Sequence, residues 1–278
     1  MARLAVVMSS CDTYEDLWYP FFECFDRFWK DIPYKVYLNT EHKKYDDSKN
    51  SFKVETLNLV KKTKKEVPWS KRFLQALDRI EEEYILLTLD DYFLCDTIDN
   101  KYLEEIMDVM DKEKDIASFQ LNGTRIRNEN PGNYQVKDQL EYNLIHKNGW
   151  RTHFIPTIWR KSVLKKWLRP WESIWGFEGY GSERTRKKKN IEKVYIVSHP
   201  IIYDYLWIKD CSAVVHGKWI DEPELTNFFK DNDIKVDYSK RGKMTVAEYV
   251  ASDMKSVLKR YTFWQKIKKG FNYLRSKW

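Results

Sequence analysis

The sequence predicts an α/β protein, and three observations carry this prediction. Residues 84–89, Tyr-Ile-Leu-Leu-Thr-Leu, are a continuous apolar run of the kind that forms a strand buried on both faces of a sheet. A similar run over residues 4–8 opens the chain. Between the two runs, helical and strand patterns follow in the order β-α-β-β-α-β, which is typical of the first part of a nucleotide-binding α/β layer.

The elements between these two strands follow from local patterns. Apolar side chains recur at helical spacing over residues 16–29, which predicts a helix. Residues 35–39 and 53–59 are predicted to be short strands, the second near an edge of the sheet. A second helix is predicted over residues 71–82, with Ser70 as its N-terminal cap.

The rest of the chain predicts shorter elements. Helices are expected over residues 99–112 and 162–168, and the basic run 184–189 is expected to continue a helix. Residues 122–138 are rich in Asn, Gly, Pro and charge, which predicts a loop that serves as a mobile lid. Strands are predicted at residues 116–121, 141–145, 153–159, 194–197, 201–205 and 213–216.

Composition favours some classes of protein over others. With 42% hydrophobic and 33% charged residues, the chain is globular rather than disordered. Only 9 glycines occur, with no G-x-G-x-x-G or G-x-x-x-x-G-K-[ST] pattern, which argues against glycine-rich dinucleotide and P-loop sites. The net charge of +7 suits an anionic partner such as nucleotide phosphates, nucleic acid or an anionic membrane face.

Cysteine spacing and hydropathy predict a compartment. The four cysteines show neither C-x-x-C pairs nor zinc-ligand spacing, so we expect free thiols in a reducing cytoplasm. The apolar segment at the N-terminus is too short for a secretory signal, and no apolar run reaches the length of a membrane span.

Two adjacent carboxylates, Asp90 and Asp91, end the buried strand over residues 84–89. Open α/β sheets bind their ligands at the carboxyl ends of such strands. Neighbouring carboxylates repel each other unless a cation lies beside them, and a hard divalent ion that also holds phosphate oxygens is the natural candidate. The alternative is that the two residues simply begin a turn, with Asp91 as a cap.

Three glycines fall within six positions, at 176, 179 and 181, in a chain that otherwise avoids glycine. This clustering predicts tight backbone geometry or the close approach of a ligand. The segment also contains two carboxylates, Glu178 and Glu183, and follows two tryptophans, Trp171 and Trp175.

The C-terminal segment is helical in pattern from Thr245 onward. Residues 261–278 combine aromatic side chains on one face with lysine and arginine on the rest, as in helices that lie on a membrane surface. The alternative is a terminal helix packed on the domain or on a second subunit. We therefore divide the chain into a domain over residues 1–240 and a helical segment over 241–278.

Five pieces of the sequence share one resemblance. They are Val-Met-Ser-Ser-Cys-Asp at 7–12, Trp-Ser at 69–70, Leu-Asp-Asp-Tyr-Phe at 89–93, Phe-Glu at 177–178 with Gly-Ser-Glu-Arg at 181–184, and His-Gly-Lys-Trp at 216–219. Together they resemble a bacterial GT-A glycosyltransferase of the capsular polysaccharide and lipopolysaccharide biosynthesis type. The resemblance spans residues 3–220 and departs from the commonest D-x-D pattern, because the two aspartates are adjacent.

The resemblance implies a GT-A-like three-layer α/β/α sandwich with a mixed central sheet. It implies transfer of a sugar from a nucleoside diphosphate, with UDP the expected nucleotide, to a saccharide acceptor that is expected to be lipid-linked. The expected cofactor is a divalent cation, Mn²⁺ or Mg²⁺, and the expected location is the inner face of the plasma membrane.

The resemblance also implies a role for each matching residue. Asp91 is the expected direct metal ligand and His216 the second, while Asp90 faces the ribose or the donor sugar. Glu178 is the expected base that takes the acceptor proton in an inverting transfer, with Glu183 as the second choice. The other expected donor-binding residues are Ser9, Ser10, Cys11, Asp12, Trp69 and Lys218, and the expected acceptor platforms are Trp171 and Trp175.

Each of these roles has a plain structural alternative. His216 is equally a core or surface histidine, Lys218 a solvated charge, and the two tryptophans core side chains. For the whole chain, the competing hypothesis is a noncatalytic module that binds RNA or an anionic membrane through its positive charge and aromatic tail. That hypothesis leaves the carboxylate pair unexplained. A nucleotidyltransferase would usually carry a glycine-rich basic first loop, which residues 9–14 do not supply.

Overall fold

The computed structural model describes residues 3–58, 67–121, 140–187 and 190–258. The predicted lid over 122–138 and the predicted membrane-binding segment over 261–278 lie outside the described residues, so both stay predictions. Within the described part, every helix falls short of the length and apolarity that crossing a bilayer requires.

An eight-stranded mixed sheet forms the centre of the molecule, with strand order β3-β2-β1-β4-β7-β5-β8-β6. Strands β3, β2, β1 and β4 are parallel neighbours, whereas β7 runs antiparallel to both β4 and β5. The strands are β1 Leu4–Ser9, β2 Lys35–Thr40, β3 Val54–Asn58, β4 Tyr84–Leu89, β5 Ile116–Gln120, β6 Glu141–Leu144, β7 Thr157–Arg160 and β8 Lys193–His199.

Helices cover both faces of this sheet. They are α1 Glu15–Phe28, α2 Trp69–Arg79, α3 Asn100–Lys112, α4 Lys161–Trp167, α6 Pro223–Asp231 and α7 Val246–Leu258. Helix α5 consists of an α turn at Ile174–Gly176, a π turn at Phe177–Gly181 and an α turn at Ser182–Thr185.

The side chains of β1 show how the helices pack on the sheet. Leu4, Val6 and Met8 pack with α1, α3 and α6 on one face, while Ala5 and Val7 pack with α2 and α4 on the other. The α/β fold with a mixed central sheet and a C-terminal helix is therefore confirmed.

Two small ribbons stand at the carboxyl edge of the sheet. Strands β9 Trp207–Ile208 and β10 Cys211–Ser212 form one, and β11 Val214–Val215, β12 Lys218–Ile220 and β13 Lys243–Met244 form the other. The two-residue turn between β11 and β12, His216-Gly217, has φ of +48° and +76°. Positive φ at both positions is the geometry of a type I′ hairpin turn.

Several predicted elements differ from the structure. Helix α2 begins at Trp69 after Pro68, so Ser70 lies buried inside the helix and does not cap it. The strand predicted from residue 153 begins only at Thr157. Residues 201–205 form a single bridge, between Tyr205 and Leu94, in place of a strand. The helix expected through residues 184–189 ends at Thr185.

Candidate active site

The carboxyl ends of β1 and β4 meet at one edge of the sheet. Ser9 pairs with Leu89 in the parallel register, so Ser10 and Asp90 follow side by side. A cleft of about 760 Å³ opens over this point. Its lining residues are Ser9, Ser10, Cys11, Tyr14, Trp69, Arg72, Leu89, Asp90, Asp91, Ile174, Trp175, Ser212, Val214, Val215, His216, Gly217 and Tyr249.

Asp90 lies at the deep side of this cleft, with 8% of the residue exposed. One carboxylate oxygen, Oδ2, accepts a hydrogen bond from the Ser10 hydroxyl. Burial, together with the neighbouring charge of Asp91, raises the pKa of Asp90 to about 8. A buried carboxylate with a raised pKa is costly to ionise, and a bound cation would remove much of that cost.

Asp91 lines the cleft beside it and is more accessible. Burial raises the pKa of Asp91 to about 6, and a hydrogen bond from Ser212 acts in the opposite direction. The pair does begin a turn, since the Tyr92 amide donates to the carbonyl of Leu89 over 3.3 Å. Asp91 caps no helix, because Asp99 supplies the cap of α3.

The loop after β1 is held by indole donors. The Trp69 Nε1 donates to the Ser9 hydroxyl over 2.9 Å, and the Trp18 Nε1 donates to the Ser10 hydroxyl over 2.7 Å. Both serine side chains therefore fix the loop, and both residues line the cleft. Cys11 is half-buried in the cleft, and burial raises the pKa of its thiol.

Asp12 ties two loops together and does not line the cleft. Its Oδ1 accepts from the Thr40 hydroxyl over 2.8 Å and from backbone amides of residues 41–43. Burial opposes ionisation of Asp12, but these hydrogen bonds outweigh it and lower the pKa of the carboxyl. The side chain thereby fixes the loop after β1 against the loop after β2.

Another part of the lining comes from the ribbons and α7, and it meets the sheet edge where Ser212 hydrogen-bonds Asp91. The His216 ring stands on the hairpin turn, with Nδ1 3.2 Å from the Ser252 hydroxyl and the ring 5.3 Å from that of Tyr249. We name this part of the lining the hairpin wall (Ser212, Val215, His216, Gly217 and Tyr249) and the part at the sheet edge the sheet-edge wall (Ser9, Ser10, Asp90 and Asp91).

The sequence predicts Lys218 as a donor-binding residue and gives no indication of Arg241 near the cleft. Lys218 is exposed on β12 and does not line the cleft. Arg241 pairs with Asp16 through two contacts of 2.7 Å and lies 4.0 Å over the ring of Tyr14, which does line it. The charge of Arg241 also lowers the pKa of Asp90 against the larger effect of burial. No local pattern around Arg241 indicated this, because Asp16 and Tyr14 are more than 200 residues away in the sequence.

The predicted acceptor-side residues are spread over α5 and the loop before it. Trp175 is 71% exposed and lines the cleft, whereas Trp171 is half-buried and does not. Glu178 lies on the π turn and does not line the cleft, and burial raises the pKa of its carboxyl. Glu183 is exposed and forms an ion pair with Arg186 at 2.7 Å.

The residues present fit a divalent cation that is shared with a substrate. Among the residues that the structure describes, no three His, Cys, Asp or Glu side chains are grouped so as to hold a metal by themselves. Asp90 supplies a buried carboxylate and Asp91 a half-buried one, and His216 supplies an imidazole in the same cleft. Mg²⁺ in particular is commonly bound by one or two carboxylates together with substrate phosphates, which this donor set allows.

No family model matches the chain, and no curated protein matches it. Several solved structures are similar. S. aureus TarS 1-349 has 14% identity over 73% of this chain and a TM-score of 0.43, and this chain spans 60% of that one. The same protein in complex with UDP has 13% identity over 86% of this chain and 68% of its own, with a TM-score of 0.42. A cytidylyltransferase from Leptospira borgpetersenii has 14% identity over 84% of this chain and 96% of its own, with a TM-score of 0.44. TM-scores below 0.5 at such identity do not decide what this chain does.

Proposed function

We propose that the chain is a nucleotide-sugar glycosyltransferase that uses a divalent cation. One observation carries the proposal: two adjacent carboxylates with raised pKa values stand at the floor of a cleft at the carboxyl edge of the sheet. Such a pair repels a phosphate by itself and attracts it through a shared cation. The cleft, about 760 Å³, has the size of a small-molecule site.

In this proposal the chain supplies two walls with different tasks. Asp91 and His216 would hold the cation, and Asp90, fixed by Ser10, would face the donor. The cation, when bound, would neutralise the charge that develops on the departing diphosphate. Trp69 and Cys11 line the same cleft and would contact the nucleotide.

The acceptor side supports an inverting transfer. Glu178 would take the proton of the acceptor hydroxyl, and the raised pKa of its carboxyl favours that role. Glu183 is less suited, because its carboxylate is exposed and already paired with Arg186. Trp175 is the better placed of the two predicted aromatic platforms, since it is exposed at the cleft.

The remaining parts of the proposal concern substrates and location. We infer that UDP carries the sugar, that the acceptor is a lipid-linked saccharide in the synthesis of a bacterial surface polysaccharide, and that residues 261–278 bind the inner face of the membrane. Deletion of 261–278 should release the protein from anionic vesicles and leave transfer to a soluble acceptor intact. Continued vesicle binding by the shortened chain would contradict the membrane part of the proposal alone.

The competing hypothesis of a basic binding module has less support. Two arginines of the basic run 184–189 are paired within the protein and are therefore less available to an anionic partner. Arg184 is buried against Glu172, with contacts of 2.5 and 2.8 Å, and Arg186 pairs with Glu183. The carboxylate pair remains without a role in such a module.

A ligand screen by thermal shift tests the proposal. UDP-, GDP- and dTDP-sugars, CTP and an RNA oligonucleotide are compared, each with Mn²⁺ and with EDTA. We expect a nucleotide-sugar to raise the melting temperature only with the cation, and the Asp91→Asn variant to lose that shift. Stabilisation by CTP alone would favour a nucleotidyltransferase, and stabilisation by RNA without metal would favour the binding module.

A further inference from the structure

The π turn of α5 is clamped by the segment before β7. The Thr152 hydroxyl lies 3.1 and 2.9 Å from the carbonyl oxygens of Phe177 and Glu178. Gly181 permits this contact, because a Cβ there would stand 2.9 Å from the Thr152 Oγ1. π turns are rare and occur frequently at functional sites. Here the turn aims the side chain of Glu178 at residues 153 and 154.

The Glu178 carboxylate meets a histidine at that position. Its Oε1 lies 3.5 Å from the His153 Nε2 and accepts a hydrogen bond of 3.3 Å from the Phe154 amide. The side chain of Glu178 is 15% exposed and that of His153 37% exposed. The pair is therefore sheltered from water yet reachable from one side.

The tautomer of His153 follows from its other nitrogen. The Ile155 amide donates to the His153 Nδ1 over 3.2 Å, so Nδ1 is an acceptor and the proton of the neutral ring sits on Nε2. That proton faces the Glu178 carboxylate. A base whose orientation is fixed by a third group is the recurring arrangement of catalytic dyads and triads.

An exposed aromatic ring stands next to this pair and close to the cleft. Trp150 is 61% exposed, and its ring lies edge-on to His153 with the centroids 6.3 Å apart. Phe154, adjacent to His153 in the chain, packs at 5.2 Å against Trp69, which lines the cleft. The pair therefore neighbours two lining residues of the donor cleft, Trp69 through Phe154 and Trp175 through α5.

We propose that Trp150, His153 and Glu178 form the acceptor subsite, with a pyranose ring stacked on Trp150 and His153 positioning the Glu178 carboxylate. This inference rests on the proposed glycosyl transfer. In the step, the acceptor oxygen forms a bond to the anomeric carbon and its proton passes to Glu178. The bond from the anomeric carbon to the diphosphate oxygen breaks, and its electron pair leaves with the nucleoside diphosphate.

Three variants distinguish a role of His153 in positioning Glu178 from a role in stabilising the fold. His153→Gln keeps an N–H donor toward Glu178, His153→Phe removes it, and Trp150→Ala removes the platform. His146→Asn, an exposed histidine in the preceding loop, is the matched control. Transfer from the best donor of the screen, or UDP-GlcNAc, to a panel of p-nitrophenyl glycosides is measured as kcat and acceptor KM. Donor binding is measured by thermal shift.

We expect His153→Phe to lower kcat by about tenfold to a hundredfold with donor binding unchanged, and His153→Gln to retain kcat within about threefold. Trp150→Ala should raise the acceptor KM by about tenfold and leave kcat unchanged. A His153→Phe enzyme with the kcat of the wild type, or a Gln variant as impaired as the Phe variant, overturns the positioning role. An unchanged KM in Trp150→Ala overturns the platform.

Binding of the acceptor is also measured without turnover. Saturation-transfer NMR on methyl glycosides should show contact with the wild-type protein and loss of contact in Trp150→Ala. If the wild-type protein binds the donor with Mn²⁺ but transfers no saturation to any glycoside, the proposed acceptor subsite is wrong. Absence of donor binding in the wild type overturns the glycosyltransferase proposal itself, so the two failures are distinguishable.

Discussion

The two walls of the cleft are built in different ways. The sheet-edge wall continues β1 and β4, whose residues from Leu4 to Met8 and from Tyr84 to Leu87 are almost fully buried in the main core. The hairpin wall rests on strands of two or three residues. These strands pack on the main core through Ala213, Val214 and Trp219, and otherwise on a small cluster whose buried members are Cys211, Val215 and Ile220. Local stability follows buried apolar contact, so we expect the hairpin wall to open more readily than the sheet-edge wall.

From this difference we expect the two walls to have different roles in ligand binding. The rigid wall holds the charges, since Asp90 is fixed by Ser10 and Ser10 by Trp18. The less stable wall carries His216, whose ring contacts α7 through Ser252 and Tyr249. Substrate entry is then expected to displace the hairpin wall and leave the carboxylate pair in place.

The largest effect is expected on the rigid wall. Asp91→Asn should lower kcat by about 10²- to 10³-fold, because it removes the charge that, in the proposed function, would hold a cation against the leaving diphosphate. The fold should be retained, with a melting temperature no lower than that of the wild type. Asp96→Asn, an exposed carboxylate on the same loop, is the control and should be fully active. Activity retained in Asp91→Asn would contradict the metal role of this wall.

A smaller effect is expected on the hairpin wall. His216→Asn keeps a side chain that tolerates the φ of +48° and removes the imidazole. Activity should fall by about tenfold, and by more with Mn²⁺ than with Mg²⁺, because imidazole suits Mn²⁺ better than Mg²⁺. Steady-state rates with each ion measure this. Equal losses with both ions would argue that His216 acts by shape alone.

The two aspartates of the sheet-edge wall should make the stability of the metal-free protein depend on pH. The pKa of Asp90 is raised from 3.8 to about 8 and that of Asp91 to about 6, so folding favours their protonated forms. Their ionisation therefore destabilises the metal-free fold as pH rises from about 4 to about 8. In EDTA, Asp90→Asn should raise the melting temperature by several degrees at about pH 8.5 and hardly at about pH 4.5. A pH-independent gain would contradict this account.

The smallest effect is expected at Lys218, which lies beside the hairpin turn but outside the cleft. Lys218→Ala should keep kcat/KM within about twofold, as is usual for an exposed side chain away from a site. A tenfold loss would show that the side chain reaches the diphosphate once the hairpin wall moves.

The sequence predicted the sheet-edge wall because its signals are local. A continuous apolar run marks β4, and the two aspartates follow it directly, so their place at the sheet edge comes from the strand alone. Ser212, Arg241 and Tyr249 carry no such signal. Ser212 lies on a ribbon whose strands have two residues each, which is too short to show a period of two. Tyr249 lines the cleft from α7, and Arg241 contacts the lining residue Tyr14.

The sequence predicted part of the proposed acceptor subsite around Glu178. Glycines at 176, 179 and 181 indicated unusual backbone near Glu178, and the structure has a π turn there. A helical period of 3.6 gives the wrong direction for side chains in such a turn, so the pairing of Glu178 with His153 was not visible. His153 was assigned to a strand, because its apolar neighbours resemble one.

The contacts of Arg241, Tyr249 and Ser252 have a consequence for synthesis on the ribosome. Strands β1 to β4 and the acidic pair emerge early, but the hairpin wall needs residues that follow position 240. In a nascent chain the cleft is therefore complete only after Arg241, Tyr249 and Ser252 have left the exit tunnel, long after β1 to β4 have done so.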